Sequence, residues 1–183
     1  MRYPESHKQA VRARILEAAA EELRRHGLSG IGIPALMRRA GLTHGAFYAH
    51  FPSRDALVAE AIRTAAAASA DGPLAPSLSL EQSLATYLSP EHLAHPERGC
   101  VIAALGAEGA RQPAPVRSAF AAAARGLLAA IERKLHPREP APEPSDGALH
   151  LASAMVGAVV LARLVDDPAL ARRLLEAAPS PGA

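Results

Sequence analysis

The chain has 183 residues, 20 Lys/Arg against 18 Asp/Glu, one cysteine and no tryptophan. That length can bury a core without disulfides or metals, as one domain or two small ones. The lone Cys100 excludes an intramolecular disulfide framework and suits a reducing compartment, so a cytoplasmic protein is expected. Hydrophobic residues make up 49% of the chain, chiefly Ala and Leu beside three Phe and three Tyr. Ala and Leu favour helix, whereas β-branched and aromatic residues favour strands, and an all-α fold follows.

The opening MRYPESHKQAVRAR is polar and basic and lacks the apolar segment of a signal peptide. The longest uncharged apolar stretch, Leu151 to Ala162, falls short of the roughly 20 residues a membrane span needs and is expected to be a buried core helix. Residues 1–60 hold nine Lys/Arg and six Asp/Glu, a balance of +3, while residues 61–183 hold eleven and twelve, a balance of −1. His7, His26, His44 and His50 fall in the basic part. A polyanionic partner for the N-terminal part is consistent with this, though the imbalance is small.

In chain order, the first helix is expected from about His7 to Arg25, with Val11, Ile15, Ala18, Ala19 and Leu23 on one face and a stop at Gly27. A short helix starts at Gly32, carries Pro34 in its first turn and ends at Gly41. Thr43 caps another, running to His50, so two short helices joined through Gly-Leu-Thr form a helix-turn-helix. Phe51-Pro52 breaks the chain, and Ser53 caps a helix running to about Ala70. Gly, Pro and Ser between Asp71 and Ser79 mark a boundary. The expected organisation is a DNA-binding domain over 1–52, a linking helix over 53–70 and a second helical domain over 71–183. Within the last, helices are expected over Leu80–Leu88, about Cys100–Ala110, from Pro115 to Leu135, Asp146–Val165 and Pro168–Ala177, with an extended proline-rich loop from His136 to Pro144.

The run THGAFYAHFPSRDAL, in register after a capped helical hairpin, carries the specific signal. Together with Arg14-Ile15-Leu16, Ala18-Ala19, Gly27 and Ala40-Gly41-Leu42-Thr43 it resembles the DNA-binding domain of TetR-type regulators. The resemblance is strong over the N-terminal third and extends to pieces such as GCVIAALGAE further on. It implies a dimeric, ligand-responsive repressor with an N-terminal three-helix helix-turn-helix domain, a palindromic double-stranded DNA operator and a C-terminal sensing domain.

In a helix-turn-helix the second helix enters the major groove with its N-terminal residues at the base edges. Those residues are Thr43, His44, Gly45 and Ala46. His44 can exchange hydrogen bonds with a base edge or face a phosphate, and Gly45 and Ala46 allow close approach. Phe47 should point into the core with Leu36 and Leu57, leaving Tyr48 exposed with its hydroxyl toward a phosphate or simply at the rim. The resemblance gives His50 and Arg54 phosphate contacts, which set register and affinity rather than sequence preference; by itself Arg54 equally fits a solvated helix-start residue. One departure is Gly32-Ile33-Pro34, where relatives often carry a Thr or Ser that caps the helix and touches phosphate.

The resemblance also places a ligand cavity among the middle helices and dimerisation on the last two. Ala152, Ser153, Ala154, Gly157, Ala158 and Ala162 are small enough for close helix approach, with Leu170, Leu174 and Leu175 beside them. Tyr87 and Phe120 are the aromatic candidates for an otherwise aliphatic cavity, and Phe120 equally fits a core. Cys100, at an expected helix start after Arg98-Gly99, is either a packed thiol or a sensor of electrophiles. His92, His95 and Cys100 form a loose cluster without closed zinc spacing or a fourth ligand, so no metal is expected.

No G-x-S-x-G, P-loop, Rossmann or H-E-x-x-H pattern is present, and a Cys100/His92 nucleophile pair would lack an orienting partner. Neither an enzyme nor a cofactor is therefore expected. A pure protein-interaction module would leave Tyr48, His50 and Arg54 without a role. A cytoplasmic, nucleoid-associated regulator released from DNA by a small hydrophobic or electrophilic effector is the expected function.

Overall fold

The structure is a computed structural model that describes residues 5–30 and 32–178; the outermost ends of the expected domains lie outside these. It is helical throughout the described residues, with no strand among them. The helices are α1 (Glu5–His26), α2 (Ile33–Arg39), α3 (Arg54–Asp71), α4 (Leu80–Tyr87), α5 (Pro90–Ala94), α6 (Val101–Gly109), α7 (Ala114–Leu135), α8 (Asp146–Leu164) and α9 (Pro168–Glu176). Two 3₁₀ turns, His44–Ala49 and Pro96–Arg98, complete the order.

Helix α1 buries Val11, Ile15, Ala19 and Leu23, residues four apart, which therefore share one face. It ends at Gly27, whose φ of +82° suits a residue without Cβ and whose N–H donates to the Leu23 carbonyl at 2.8 Å. Arg24, Arg25 and His26 in its last turn complement the negative end of the dipole. The buried Glu22 carboxylate ties α1 to α2 through Arg39 at 3.1 Å and to its own helix through Arg25 at 3.0 Å. Helix α2 ends at Arg39 and is followed by Gly41 (φ +71°), and Leu42 N–H returns to the Met37 carbonyl at 2.8 Å.

Two cores result. The first joins Ile15, Leu36, Met37, Phe47, Phe51, Leu57 and Ile62 to Leu105, Val116 and Phe120 of the second half. The second gathers Leu84, Tyr87, Cys100, Leu127, Ile131, Leu151, Met155, Val159 and Leu175. Helix α3 packs on both α1 and α7 and so belongs to both halves, and α1 also packs on α6 and the Pro96–Arg98 turn.

Helices α7 and α8 are long and apolar enough, by length and composition alone, to cross a bilayer. Each places part of its apolar surface in these cores, Ile131 and Met155 being fully enclosed, while α8 also leaves Leu149, Leu161 and Leu164 exposed. The proline-rich loop is fixed at its end by the buried Glu132 carboxylate, which accepts from Ser145 Oγ at 2.6 Å and Ser145 N–H at 3.0 Å. The Gly/Pro/Ser segment after α3 is held by Lys134, whose ammonium donates to the carbonyls of Ala75 and Leu78 at 2.8 Å each.

Candidate nucleic-acid interface

The second element of the helix-turn-helix is tighter than the sequence suggests. His44–Ala49 is a six-residue 3₁₀ turn, and Thr43 is extended at its start without a side-chain cap. The physical reason is local: Gly45 weakens α-helical preference, and Phe51-Pro52 ends the run after only six residues. Phe47 nevertheless enters the core, stacked on Phe51 with ring centres 5.9 Å apart. Arg12 lies 4.7 Å over the Phe51 ring and pairs with Glu60, fastening α1 to α3 beneath the turn. Arg14 donates to the Ala40 carbonyl at 2.8 Å and holds the turn itself.

That scaffold leaves Thr43, His44 and Gly45 exposed. Nothing lies within 4 Å of where a Gly45 Cβ would sit, so space does not demand glycine there. Tyr48 is 67% exposed, an unusual state for a large aromatic side chain, and its ring meets His44 edge-on at 6.3 Å. His50 is half-buried; burial first, then the positive charges of Lys8 and Arg12, hold its imidazole below the ordinary value. Its Nδ1 is enclosed without a protein partner.

Arg54 is half-buried at the start of α3 and donates to the Leu28 carbonyl. A guanidinium has five N–H donors, so this bond leaves others available. The N–H of the same Leu28 donates to Glu108 Oε2 of α6 at 2.9 Å. A second bridge joins Arg24 of α1 to the Gly99 carbonyl at 3.2 Å, at the base of α6. These links between the two halves had no sequence signature.

The four sensor candidates separate in space. Cys100 is buried and lines a cavity of about 310 Å³ between α3, α6 and α7, with Leu74, Val101, Ile102 and Leu127. Tyr87 and His92 pack near it, their rings 4.6 Å apart, but do not line that cavity. His92 accepts from Cys100 N–H through Nε2 at 3.0 Å, so its Nδ1 must carry the proton it gives to the Tyr87 carbonyl at 2.6 Å. Burial lowers the His92 pKa and, with the adjacent Cys100, holds the Tyr87 phenol well above its usual value. Phe120 lies in the first core against Gly109, where a Cβ would come within 2.6 Å of the ring.

Arg24 of α1 and Arg163 of α8, whose pKa values burial lowers, are the cations brought near Cys100, while its sequence neighbour Arg98 is exposed. Among the described residues, no three His, Cys, Asp or Glu side chains are placed to share a metal ion. His92, His95 and Arg98 line a smaller pocket of about 150 Å³ on another side.

On the last two helices, Ala152, Ala162 and Leu175 are used within the chain's own second core, and Ala158 is buried as well. The exposed apolar side chains are instead Leu149, Leu161 and Leu164 of α8 and Leu170 of α9. Exposed Ser153 and half-exposed Gly157 keep the intervening face of α8 low.

Residues 15–61 match the model of the bacterial regulatory proteins of the tetR family. None of the curated proteins matches the chain in sequence. The fold is similar to that of reduced NemR from E. coli, at 22% identity, 92% and 93% coverage of the two chains and a TM-score of 0.73. A TetR-family transcriptional regulator from Cytophaga hutchinsonii is similar at 18% identity, 95% and 94% coverage and a TM-score of 0.70. So is the regulator FadR from Bacillus subtilis, in complex with stearoyl-CoA, at 16% identity, 90% and 95% coverage and a TM-score of 0.55.

Proposed function

We propose that the chain, whose residues 15–61 match the tetR-family model, is a TetR-family DNA-binding transcriptional regulator, a repressor that binds a palindromic operator as a homodimer and leaves it when a small effector fills the α3–α6–α7 cavity. The observation that carries this reading is the exposure of Thr43, His44, Gly45 and Tyr48 on a turn whose inward residue, Phe47, is fully buried. An exposed tyrosine beside an exposed histidine presents an aromatic ring and polar ring groups that a partner can cover. A major groove supplies that cover, with His44 at base edges and Tyr48, His50 and Arg54 at phosphates.

Two copies joined through Leu149, Leu161, Leu164 and Leu170 would present two recognition turns to half-sites about 34–36 Å apart or a multiple of that spacing. The FadR neighbour holds stearoyl-CoA, which supports reading the cavity here as an effector site. Cys100 lines it, so an electrophile that enters would meet a thiol.

Selection from a randomised DNA pool, followed by sedimentation of the selected complex, tests the reading. The expected result is an inverted repeat bound by two copies. Recovery of no preferred sequence, or of a complex with a single copy, would sink it.

A further inference from the structure

The α3–α6–α7 cavity is apolar within and positive at its edge. Leu74, Val101 and Leu127 form buried parts of the wall, and the exposed lining positions other than arginine are Ala or Gly. Arg63 of α3 and Arg133 of α7 are the two long exposed side chains that line it. Among the described residues no hydrogen bond or ion pair engages either guanidinium, and no acidic side chain lines the cavity.

The same wall contains the first turn of α6, through Cys100, Val101 and Ile102. The Cys100 side chain does not cap that turn, His92 takes only the Cys100 N–H, and no acid in the turn offsets the positive end of its dipole. Two unpaired guanidiniums and a helix start therefore raise the potential of one small apolar space from several sides. At about 310 Å³ it lies at the small end of the roughly 300–1,000 Å³ usual for ligand pockets.

We propose that this cavity takes a small amphipathic anion: an apolar chain or ring in the interior and a single carboxylate or comparable acidic group facing Arg63 and Arg133. A neutral hydrophobe fills the wall equally well but leaves both cations unpaired, and an apolar cation is repelled by them. The guanidinium fork suits the planar, two-oxygen head of a carboxylate better than a point-charge anion. The proposal rests on the cavity being the effector site.

Octanoate, octanol and octylamine share one apolar body and differ in head-group charge. Calorimetric titration of each into the whole protein should show octanoate binding about tenfold or more tighter than octanol, with octylamine weakest. The preference should shrink with added salt. In the Arg63→Gln/Arg133→Gln pair it should fall to within about twofold, and in the Arg63→Lys/Arg133→Lys pair, which keeps the charge, most of it should persist.

Equal binding of octanoate and octanol, an undiminished preference in the glutamine pair, or binding by none of the three overturns the proposal. Parallel measurement of operator release separates it from the repressor reading. Octanoate that binds selectively but leaves the DNA complex intact supports the anion site and defeats effector control. Octanol that binds and releases DNA as well as octanoate does the reverse.

Discussion

Glu108 of α6 accepts the Leu28 amide at 2.9 Å, although eighty positions separate them in the chain. The carboxylate reaches this amide because Gly27 has no side chain; a Cβ there would sit 2.9 Å from Glu108 Oε1. Since the Leu28 carbonyl accepts from Arg54, a single residue lies between the cavity helix and the start of α3. A shift of α6 on ligand binding would therefore be felt at the edge of the helix-turn-helix. An effector acts only through different affinities for two arrangements, and this contact is a place where the arrangements can differ.

Removing the carboxylate should reveal that coupling. Glu108→Ala leaves the buried Leu28 amide unpaired and should lower the free energy of unfolding by about 1–3 kcal/mol. The ratio of operator affinities with and without effector should fall toward one. A normal ratio in a destabilised variant would make the contact a structural fastening only.

The DNA contacts should divide into two classes. Arg54→Ala should weaken binding to all sequences alike and reduce the salt slope by about one. It should also lower stability, because the Leu28 carbonyl loses its donor. His44→Ala should instead relax preference at one base pair in each half-site, by about 1–3 kcal/mol. If binding by both variants falls without a change in base preference, His44 faces a phosphate.

The helices from about His7 to Ala70 were legible in the sequence because apolar residues recur at helical spacing and the stops, Gly27, Gly41 and Pro52, have definite backbone meaning. The 3₁₀ character of His44–Ala49 was not, since it depends on how a very short run is cut off at both ends. Helix α5 and the turn Pro96–Arg98 were missed because the prolines and histidines between Pro90 and Gly99 show no apolar period. The role of His92 as a bracket between Tyr87 and Cys100 N–H was hidden too. A ring that satisfies two backbone groups leaves the same sequence trace as a ligand or a surface histidine.

The apolar face of α8 and α9 makes a separate prediction. Leu161 and Leu164 are 51% and 76% exposed, so polar substitution does not disturb the chain's own core. In a two-fold interface each substitution acts twice. With about 1.5–3 kcal/mol for each leucine buried, Leu161→Glu/Leu164→Glu should raise the dimer dissociation constant by about a hundredfold or more. Sedimentation should then show folded monomer, with helicity retained and palindrome affinity lost. A dimer of unchanged strength would place the interface elsewhere.

His92 should make the protein sensitive to mild acid. Its folded pKa is lowered from the ordinary 6.5, chiefly by burial, with Arg163 adding to the effect and the Tyr87 carbonyl opposing it. The unfolded chain therefore binds the proton more readily than the folded one. Stability is full above the unfolded value of 6.5 and is lost as pH falls from there through the lower folded value. Protonation also removes the Nε2 acceptor used by Cys100 N–H. Denaturant midpoints measured against pH should decline over this window, and less steeply in His92→Gln. An identical slope in the variant would assign the decline to other groups, His50 first among them because its pKa is also lowered.

Cys100 bears on whether the effector can be an electrophile. Cys100 is buried at 6% exposure and lines the cavity, so a reagent that enters there would meet it. An α,β-unsaturated carbonyl would form a bond from sulfur to its β-carbon. The alkene pair would move to the α-carbon and take a proton from water, and the thiol proton would pass to solvent. The added bulk would sit at the first turn of α6, beside the Arg24 bridge to Gly99, and would bias the same contacts as a reversible ligand. Cys100→Ser keeps the backbone N–H that His92 holds and changes only the nucleophile. It should abolish release of the operator by N-ethylmaleimide while leaving release by a reversible cavity ligand intact, both read by fluorescence anisotropy on labelled operator. If the serine variant responds to N-ethylmaleimide as the parent does, the thiol is a packing residue and electrophile control through it should be abandoned.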